Sequence, residues 1–358
     1  MPASNLDKIR ELMQGYWRSA ILFTAVHYNV FGLLGKKGLG PGIVARKARI
    51  SERGSTILLD ALSVLGLLKK SKGRYYNTAL SSQFFVPGAP SYLGDSVKHH
   101  KRLWKLWTHL DEAVATGRGV REHVRQRTEK ETFDFILAME NTARRRAKQV
   151  MRLVGISDVK KMLDVGGGPA TYSIEFASRY KKLQATVLDL RVPLKVAREK
   201  VREAGLQNRI KLVEGDYFKV ELGAGYDLVL ISSVLHSMSP GRARLVIGKS
   251  YSALVPGGRI VIHDFLPNEE RTGPQWPLLF AVNMLVATES GNAYTYEEIC
   301  AWLRSAGFQS IKKLKVEDSS TVVVAAKPGK KAAPKRPRGS SRPAGRAAAP
   351  PRRKPAGS

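Results

Sequence analysis

The first third of the chain has the hydrophobic spacing of helices. Over residues 6–34, apolar residues return every three or four positions, which predicts an amphipathic helix or a pair of helices. Ser51 is a favourable N-cap for another helix, which Gly66 ends. The helices predicted in this way cover residues 6–34, 43–48, 52–65, 92–116 and 132–153.

A small hairpin follows the helix over residues 52–65. Residues 67–69 can pair with Tyr75 and Tyr76 across a turn. Helix, helix and hairpin in this order are typical of a winged helix, whose second helix enters the major groove in DNA-binding proteins. Here that helix is rich in leucine, which favours packing against another subunit over contact with base edges.

From residue 161 onward, short apolar runs alternate with helical segments, which predicts a parallel sheet with helices on both faces. The last two runs are only a few residues apart and must be antiparallel, because a parallel pair needs a longer crossover. The predicted strands are residues 161–165, 185–190, 210–214, 226–232, 259–265, 308–316 and 321–326. We therefore expect an α/β fold, a Rossmann-like sheet with a terminal antiparallel hairpin, preceded by an α-helical winged-helix domain.

Three glycines lie where the first of these strands turns into a helix. Gly166, Gly167 and Gly168 follow an apolar run, so a ligand can approach the backbone there. A dinucleotide fingerprint requires glycine or alanine at the position that Thr171 occupies. The residues therefore disfavour a nicotinamide cofactor.

Acidic residues end three successive strands. Asp164 is placed to reach a cationic group such as an amine, and Asp189 lies where an acid accepts hydrogen bonds from ribose hydroxyls. Asp216 can accept a hydrogen bond from the adenine amine, with Tyr217 against the ring face. The three acids together describe a ligand that has an amine, a ribose and an adenine.

These segments resemble the class I S-adenosylmethionine-dependent methyltransferases. Residues 8–326 are similar to the O-methyltransferases that include plant caffeic acid and animal acetylserotonin enzymes. The resemblance implies S-adenosylmethionine as cofactor, a small hydroxyl-bearing acceptor, and a homodimer formed through the winged helix. It also implies that Ser232 contacts the cofactor, and we add Leu190, which follows Asp189, to that set.

The resemblance further implies a general base at His236, just past the fourth strand. Glu289 in the pocket segment and a second acid at Asp264 would orient this histidine, although the second acid could register on His263. Ser237 and Met238 stand where the family usually has Asp-Trp. The candidates for an apolar acceptor pocket are Met139, Phe280, Asn283 and Met284. No metal is required.

The strongly basic composition raises the question of a nucleic-acid partner. Sixty lysines and arginines against 30 acids give a net charge of +30, which would suit a nucleic-acid partner. Residues 327–358 hold eleven of the basic residues and no acid, and they are predicted to be a disordered tail. Contact of this tail with nucleic acid is possible but not favoured, because no aromatic residues interleave its charges. The predicted domains are residues 1–95, 96–326 and 327–358.

Other reaction classes also stay open. A nucleic-acid amine methyltransferase is disfavoured because the fourth strand ends without an Asn-Pro-Pro-aromatic motif, and a winged-helix DNA-binding regulator is less favoured still. Carbon methylation, or a family member that does not methylate, is the main alternative. The single cysteine, Cys300, and the absence of a signal-peptide pattern or a membrane-length apolar run predict a cytoplasmic protein.

Overall fold

The computed structural model describes residues 5–119, 128–316, 319–329 and 357. Its N-terminal part, through residue 87, consists of helices and one antiparallel hairpin. The elements are α1 Asn5–His27, α2 Val30–Leu34, α3 Pro41–Ala48, α4 Glu52–Val64, β1 Leu68–Ser71, β2 Arg74–Asn77 and α5 Ala79–Phe84.

Residues 6–34, predicted to be one amphipathic helix or a pair, form two helices. Asn29 adopts a left-handed conformation with φ of 52°, which ends α1 and starts α2. The predicted N-cap is confirmed, because the Gly54 N–H donates to Ser51 Oγ over 3.0 Å. A small core that includes Phe31, Leu59 and Tyr75 holds these helices and the hairpin together.

Three helices connect this part to the large sheet: α6 Gly94–Trp107, α7 Leu110–Thr116 and α8 Glu129–Val154. The predicted helix over residues 92–116 is interrupted before Leu110, so it too is two helices. Helix α8 begins at a capping box in which Thr128 and Glu131 bond each other's backbone N–H groups. Its buried residues Ala147 and Val150 pack toward the sheet.

The large sheet has seven strands in the order β5-β4-β3-β6-β7-β9-β8. Strands β3 to β7 are parallel, and β8 and β9 are antiparallel to each other, as predicted. Strand β9 also runs antiparallel to β7. The strands are β3 Lys161–Val165, β4 Gln184–Asp189, β5 Ile210–Glu214, β6 Tyr226–Ser232, β7 Leu254–Asp264, β8 Gln309–Lys315 and β9 Thr321–Ala326. The remaining helices are α9 Thr171–Arg179, α10 Arg191–Glu203, α11 Pro240–Ala253, α12 Gln275–Ala287 and α13 Tyr296–Ser305.

Each face of the sheet carries its own apolar core, because successive strand residues point to opposite faces. On one face Ile231 and Ile262 pack among residues of α11 and α13. On the other, Leu230 and Val261 pack among residues of α8, α9 and α10. The chain order reverses beside β3, which has β4 on one side and β6 on the other. In open α/β sheets, ligands bind at the carboxyl ends of the strands next to such a reversal.

Among the differences from the predicted boundaries, two concern the sheet and the tail. Strand β7 begins at Leu254, which pairs with Tyr226 across an irregularity, so the Pro-Gly-Gly sequence does not end the strand. Lys327, which we predicted to begin the tail, is fixed instead: its Nζ donates to the carbonyls of Tyr251 and Leu254 at 2.8 and 2.7 Å. Residues 330–356 and 358, on which the prediction of a disordered tail rests, lie outside the described residues.

Across the described ranges, no helix combines the length and apolar character needed to cross a membrane.

Candidate active site

The glycine turn after β3 is tightly enclosed. Gly166 has φ of 68°, and a Cβ added to it would come within 2.8 Å of Val234 Cγ2. A Cβ on Gly167 would come within 2.7 Å of the Asp164 carboxyl carbon. Both positions therefore require glycine, and the turn leads directly into α9. The third glycine, Gly168, donates its N–H to Asp189 Oδ2 over 2.8 Å, which joins the turn to the end of β4.

Asp164 is a buried carboxylate close to this turn. It is 1% exposed, and Ser173 Oγ on α9 donates to its Oδ2 over 2.8 Å. Burial raises the pKa of Asp164 to about 7, and the nearby charge of Asp189 acts in the same direction. Because burial disfavours the ionised form of Asp164, a cationic ligand group beside it would stabilise that form.

Asp189 is held by backbone groups. Its carboxylate accepts from the N–H groups of Gly168 and Leu190, the second over 2.7 Å. Burial raises the pKa of Asp189, although both hydrogen bonds lower it. Leu190 itself is 56% exposed, an apolar side chain open to contact by a ligand.

Asp216 and Tyr217 lie in the turn after β5. The Phe218 N–H donates to Asp216 Oδ1 over 2.9 Å, so the carboxylate caps its own turn. The Gly215 N–H donates to the Asp189 carbonyl over 3.0 Å, which places this turn beside the end of β4. Burial raises the pKa of Tyr217 to about 12, and the charges of Asp189 and Asp216 add to the shift. The structure thus brings the predicted cofactor residues to one edge of the sheet.

The predicted histidine and acid meet at the ends of β6 and β7. His236 lies on a 3₁₀ turn just after β6, and its Nδ1 is 2.6 Å from Asp264 Oδ1. The His236 N–H donates to Asp264 Oδ2 over 3.2 Å, and the Phe265 N–H donates to Oδ1 over 2.9 Å. Burial alone would raise the pKa of Asp264, but His236 and these hydrogen bonds lower it overall. Asp264 is therefore ionised near neutral pH and can accept a hydrogen bond from His236 Nδ1.

The two other candidates for orienting His236 lie elsewhere. His263 is fully buried; its Nδ1 is 2.9 Å from the Tyr172 hydroxyl and 3.0 Å from that of Ser232, and its Nε2 is 2.8 Å from Ser320 Oγ. The Glu289 carboxylate is exposed, and no described residue is hydrogen-bonded to it. The segment that carries Glu289 does approach the histidine, since the Asn292 N–H donates to the His236 carbonyl over 2.9 Å. The structure thus pairs His236 with Asp264 and leaves Glu289 outside the pair.

Aromatic rings cover the histidine. The Phe280 ring meets His236 edge to face with centroids 4.7 Å apart, and it also contacts Phe265 at 4.9 Å and Trp276 at 6.3 Å. Two further predicted pocket residues follow one turn later on α12: Asn283 accepts from Trp107 Nε1 over 3.0 Å, and Met284 is buried. The fourth, Met139, is half-buried on α8.

Our sequence analysis did not find Phe265 or Trp276. Trp276 could have been found, because it precedes Phe280 by four positions in an apolar run and shares its helix face. Phe265 faces an arginine of α8, since Arg146 Cζ lies 4.9 Å from its ring centroid. That contact joins segments far apart in the chain, so no local sequence pattern predicts it.

Within the described ranges, no cluster of three or more histidine, cysteine or acidic side chains could hold a metal ion. The strand-end residues do fit a cationic nucleoside ligand. Asp164 is a buried acid whose ionised form a positive ligand group would stabilise, and Leu190 offers exposed apolar surface. The neighbouring Thr171 Oγ1 is buried and has no hydrogen-bond partner among the described residues.

Two protein families match this chain. Residues 91–309 match the family described as an O-methyltransferase domain, and residues 10–87 match the O-methyltransferase dimerisation domain. The two matches meet at the connection between the N-terminal helices and α6.

Individual proteins agree with this match. A 3-hydroxy-5-methyl-1-naphthoate 3-O-methyltransferase of Streptomyces sahachiroi is 31% identical over 315 residues, which cover 86% of this chain and 90% of the relative. Acetylserotonin O-methyltransferase of Macaca mulatta is 30% identical over 322 residues, which cover 85% of this chain and 92% of the relative. The crystal structure of human N-acetylserotonin methyltransferase in complex with SAM superposes with a TM-score of 0.84 at 28% identity, covering 91% of this chain and 99% of that one.

Proposed function

The chain belongs to the S-adenosylmethionine-dependent O-methyltransferases, and from this premise we propose that it methylates a hydroxyl oxygen of a small aromatic acceptor, with His236 as general base. The observation that carries the proposal is the 2.6 Å contact between His236 Nδ1 and Asp264 Oδ1, beneath the ring of Phe280.

The pair fixes the proton positions of the histidine. An ionised carboxylate can only accept hydrogen bonds, so His236 carries its proton on Nδ1. Its Nε2 then has a free lone pair and can take a proton from the acceptor. When Nε2 becomes protonated, the negative charge of Asp264 stabilises the imidazolium. Asp264 thus selects the tautomer and supports the charge that develops.

The cofactor would be held by the strand-end residues. Asp164 would pair with the amine of the methionyl group, Asp189 would accept from the ribose hydroxyls, and Asp216 with Tyr217 would bind the adenine. Gly166, Gly167, Gly168, Leu190 and Ser232 would complete the contacts. When bound, S-adenosylmethionine supplies a methyl group on a cationic sulfur.

The acceptor's hydroxyl needs help to react. A phenolic hydroxyl has a pKa near ~10, so at neutral pH it is protonated and weakly nucleophilic. His236 removes this proton as the oxygen attacks, and the proton moves from the hydroxyl to Nε2. The rest of the activation barrier to methyl transfer is lowered mainly by positioning the two reactants. Holding a flat acceptor ring in place would be the role of Phe280, Asn283, Met284 and Met139.

The ring-lined site and the relatives both support an aromatic acceptor. Phe265, Trp276 and Phe280 form a wall of aromatic faces and edges beside the base. The naphthoate and acetylserotonin enzymes are named for aromatic compounds that carry a hydroxyl group.

A radioactive methyl-transfer assay tests this function. Wild-type protein is incubated with S-[methyl-³H]adenosylmethionine and a panel of phenols, hydroxynaphthoates and hydroxyindoles, and His236→Gln serves as the matched control. Transfer to oxygen by the wild type, lost in His236→Gln, supports the proposal. Transfer to carbon, or equal transfer by both proteins, contradicts it.

The dimerisation domain supports a homodimer through the N-terminal helices. Helix α1 exposes a series of large apolar side chains, which in water favours coverage by a second subunit. These side chains are Leu6, Ile9, Leu12, Met13, Tyr16 and Trp17. Light scattering should give twice the chain mass, and Leu12→Asp together with Met13→Asp should shift the protein toward monomer. A wild type that stays monomeric at micromolar concentration would contradict the dimer.

A further inference from the structure

Lys249 binds the turn after β5 through its ammonium group. It lies on α11, half-buried, and its Nζ donates to the carbonyls of Tyr217 at 3.0 Å, Phe218 at 3.5 Å and Val220. Among the described residues, no carboxylate pairs with this ammonium group. One ammonium group therefore donates hydrogen bonds to three backbone carbonyls of a single turn.

The opposite side of the same turn is held by Asp216. Its backbone carbonyl accepts from the N–H groups of Lys219 and Val220 at 2.8 and 2.9 Å, and its side chain accepts from the Phe218 N–H. The carbonyls of the turn thus face Lys249, while its N–H groups face Asp216. Without the ammonium group, three carbonyl dipoles would converge with nothing to offset their repulsion.

Helix α11 makes a second contact with this turn. Arg242 Cζ lies 5.0 Å from the centroid of the Phe218 ring. The turn is also tight from below, since a Cβ on Gly215 would come within 2.9 Å of Val220. Its shape therefore depends on α11, an element that contributes none of the residues assigned to the cofactor.

We propose that Lys249 is a positioning residue for the nucleobase end of the cofactor site. By holding the carbonyls of residues 217–220, its ammonium group aims Asp216 at the 6-amino group of adenine and keeps Tyr217 against the ring. The inference rests on the proposed function, which places adenine at Asp216 and Tyr217. It predicts that Lys249 controls which base is accepted without touching the ligand.

The experiment compares two ligands that differ at one position of the base. S-adenosylhomocysteine carries the 6-amino group, whereas S-inosylhomocysteine carries an oxygen there, which the Asp216 carboxylate repels. Calorimetry at one pH measures both dissociation constants for the wild type, Lys249→Met, Lys249→Gln and Arg244→Met. Arg244 is exposed on the same helix, so its variant removes one positive charge without altering the turn.

We expect the wild type to prefer the adenosyl ligand and Lys249→Met to bind it about tenfold more weakly, the scale for losing hydrogen bonds from a charged donor. Affinity for the inosyl ligand should change little, so the preference falls by the same factor. Lys249→Gln keeps two N–H donors and should restore part of the preference, and Arg244→Met should match the wild type.

An equal loss of affinity for both ligands would show a merely structural role and overturn the inference, as would an unchanged preference. If Lys249→Met does not fold, as judged by its thermal melting, Lys249→Gln decides in the same way: a wild-type preference there contradicts a role of the charge. A wild type that binds neither ligand would instead contradict the cofactor site itself.

Discussion

The cofactor side and the acceptor side of this site are built by different means. On the cofactor side, Asp164, Asp189 and Asp216 follow the ends of adjacent strands or lie within them, and backbone N–H groups hold the last two. On the acceptor side, side chains hold one another: Asp264 bonds His236, and Phe280 covers it. Backbone hydrogen bonds therefore position two of the three cofactor acids, whereas side chains from different elements position the His236 ring.

This difference has a consequence for variants. His236 and Asp264 make no hydrogen bond to a predicted cofactor residue within the described ranges, so substitutions there should alter turnover and leave cofactor affinity intact. Substitutions at the strand ends should do the reverse. Of the five predictions below, which begin with the largest effect, the first three test this separation.

His236→Gln should lower kcat by about 10² to 10⁴, the usual contribution of a general base, with an unchanged dissociation constant for S-adenosylhomocysteine. The residual rate should rise with pH, because an acceptor that ionises in solution no longer needs the base. Steady-state kinetics and calorimetry on the same preparation measure both quantities. A matching loss of cofactor affinity would show that the two halves are not separate.

Asp264→Asn should lower kcat by roughly 10²-fold, because the amide can donate to Nδ1 and so stabilise the tautomer that has its proton on Nε2. Cofactor affinity should again be unchanged. Glu289→Gln is the comparison, since Glu289 is exposed in the structure. A larger kcat loss in Glu289→Gln than in Asp264→Asn would assign the orienting role to Glu289 once the acceptor is bound.

Asp189→Ala should weaken binding of S-adenosylhomocysteine by about 1.5 to 3 kcal/mol, the scale for hydrogen bonds to a charged group. At saturating cofactor, kcat should stay within about a factor of three of the wild type, since the base and its partner are intact. Wild-type affinity in this variant would remove Asp189 from the ribose site.

Asp164 should make cofactor binding depend on pH. With its pKa near 7 in the free protein, Asp164 is largely protonated below that pH and cannot pair with the ligand's ammonium group. Affinity for S-adenosylhomocysteine should therefore fall about tenfold from pH 8 to pH 6, with release of a proton on binding near pH 7. Asp164→Asn should remove this dependence, and its persistence in that variant would assign it to another group.

The same group should affect the stability of the unliganded protein. Because the folded pKa of Asp164 is raised above its ordinary value of 3.8, its contribution to the free energy of unfolding is present below that value. The contribution is lost as pH rises through about 7. Thermal melting of the wild type and Asp164→Asn should diverge across this range.

Local patterns sufficed for much of the fold and for the cofactor side. Strands β3, β5, β6 and β9 have the predicted bounds, and the predicted N-cap at Ser51 is confirmed. Each of these depends on residues within one segment, where hydrophobic period and capping chemistry act directly. The glycine turn is placed by the same local rules.

Contacts between segments distant in the chain could not be predicted from local sequence patterns. The choice between His263 and Asp264 depends on which side chain the sheet directs toward His236, and adjacent strand residues point to opposite faces. Lys249 and Arg146 act through partners that lie 29 or more residues away. Their sequence neighbourhoods look like ordinary basic helix surfaces, so only the tertiary structure distinguishes them.

The position of β9 within the sheet matters while the chain is being made. Thr321–Ala326 lies between β7 and β8, although it is the last of the described strands in sequence. Until it leaves the ribosome, the edge of β7 that ends in Asp264 has no partner, and β8 cannot join the sheet. Bare apolar edges of this kind promote association between nascent chains. Translation must therefore proceed past residue 326 before the strand that carries the histidine's partner is secured on both sides.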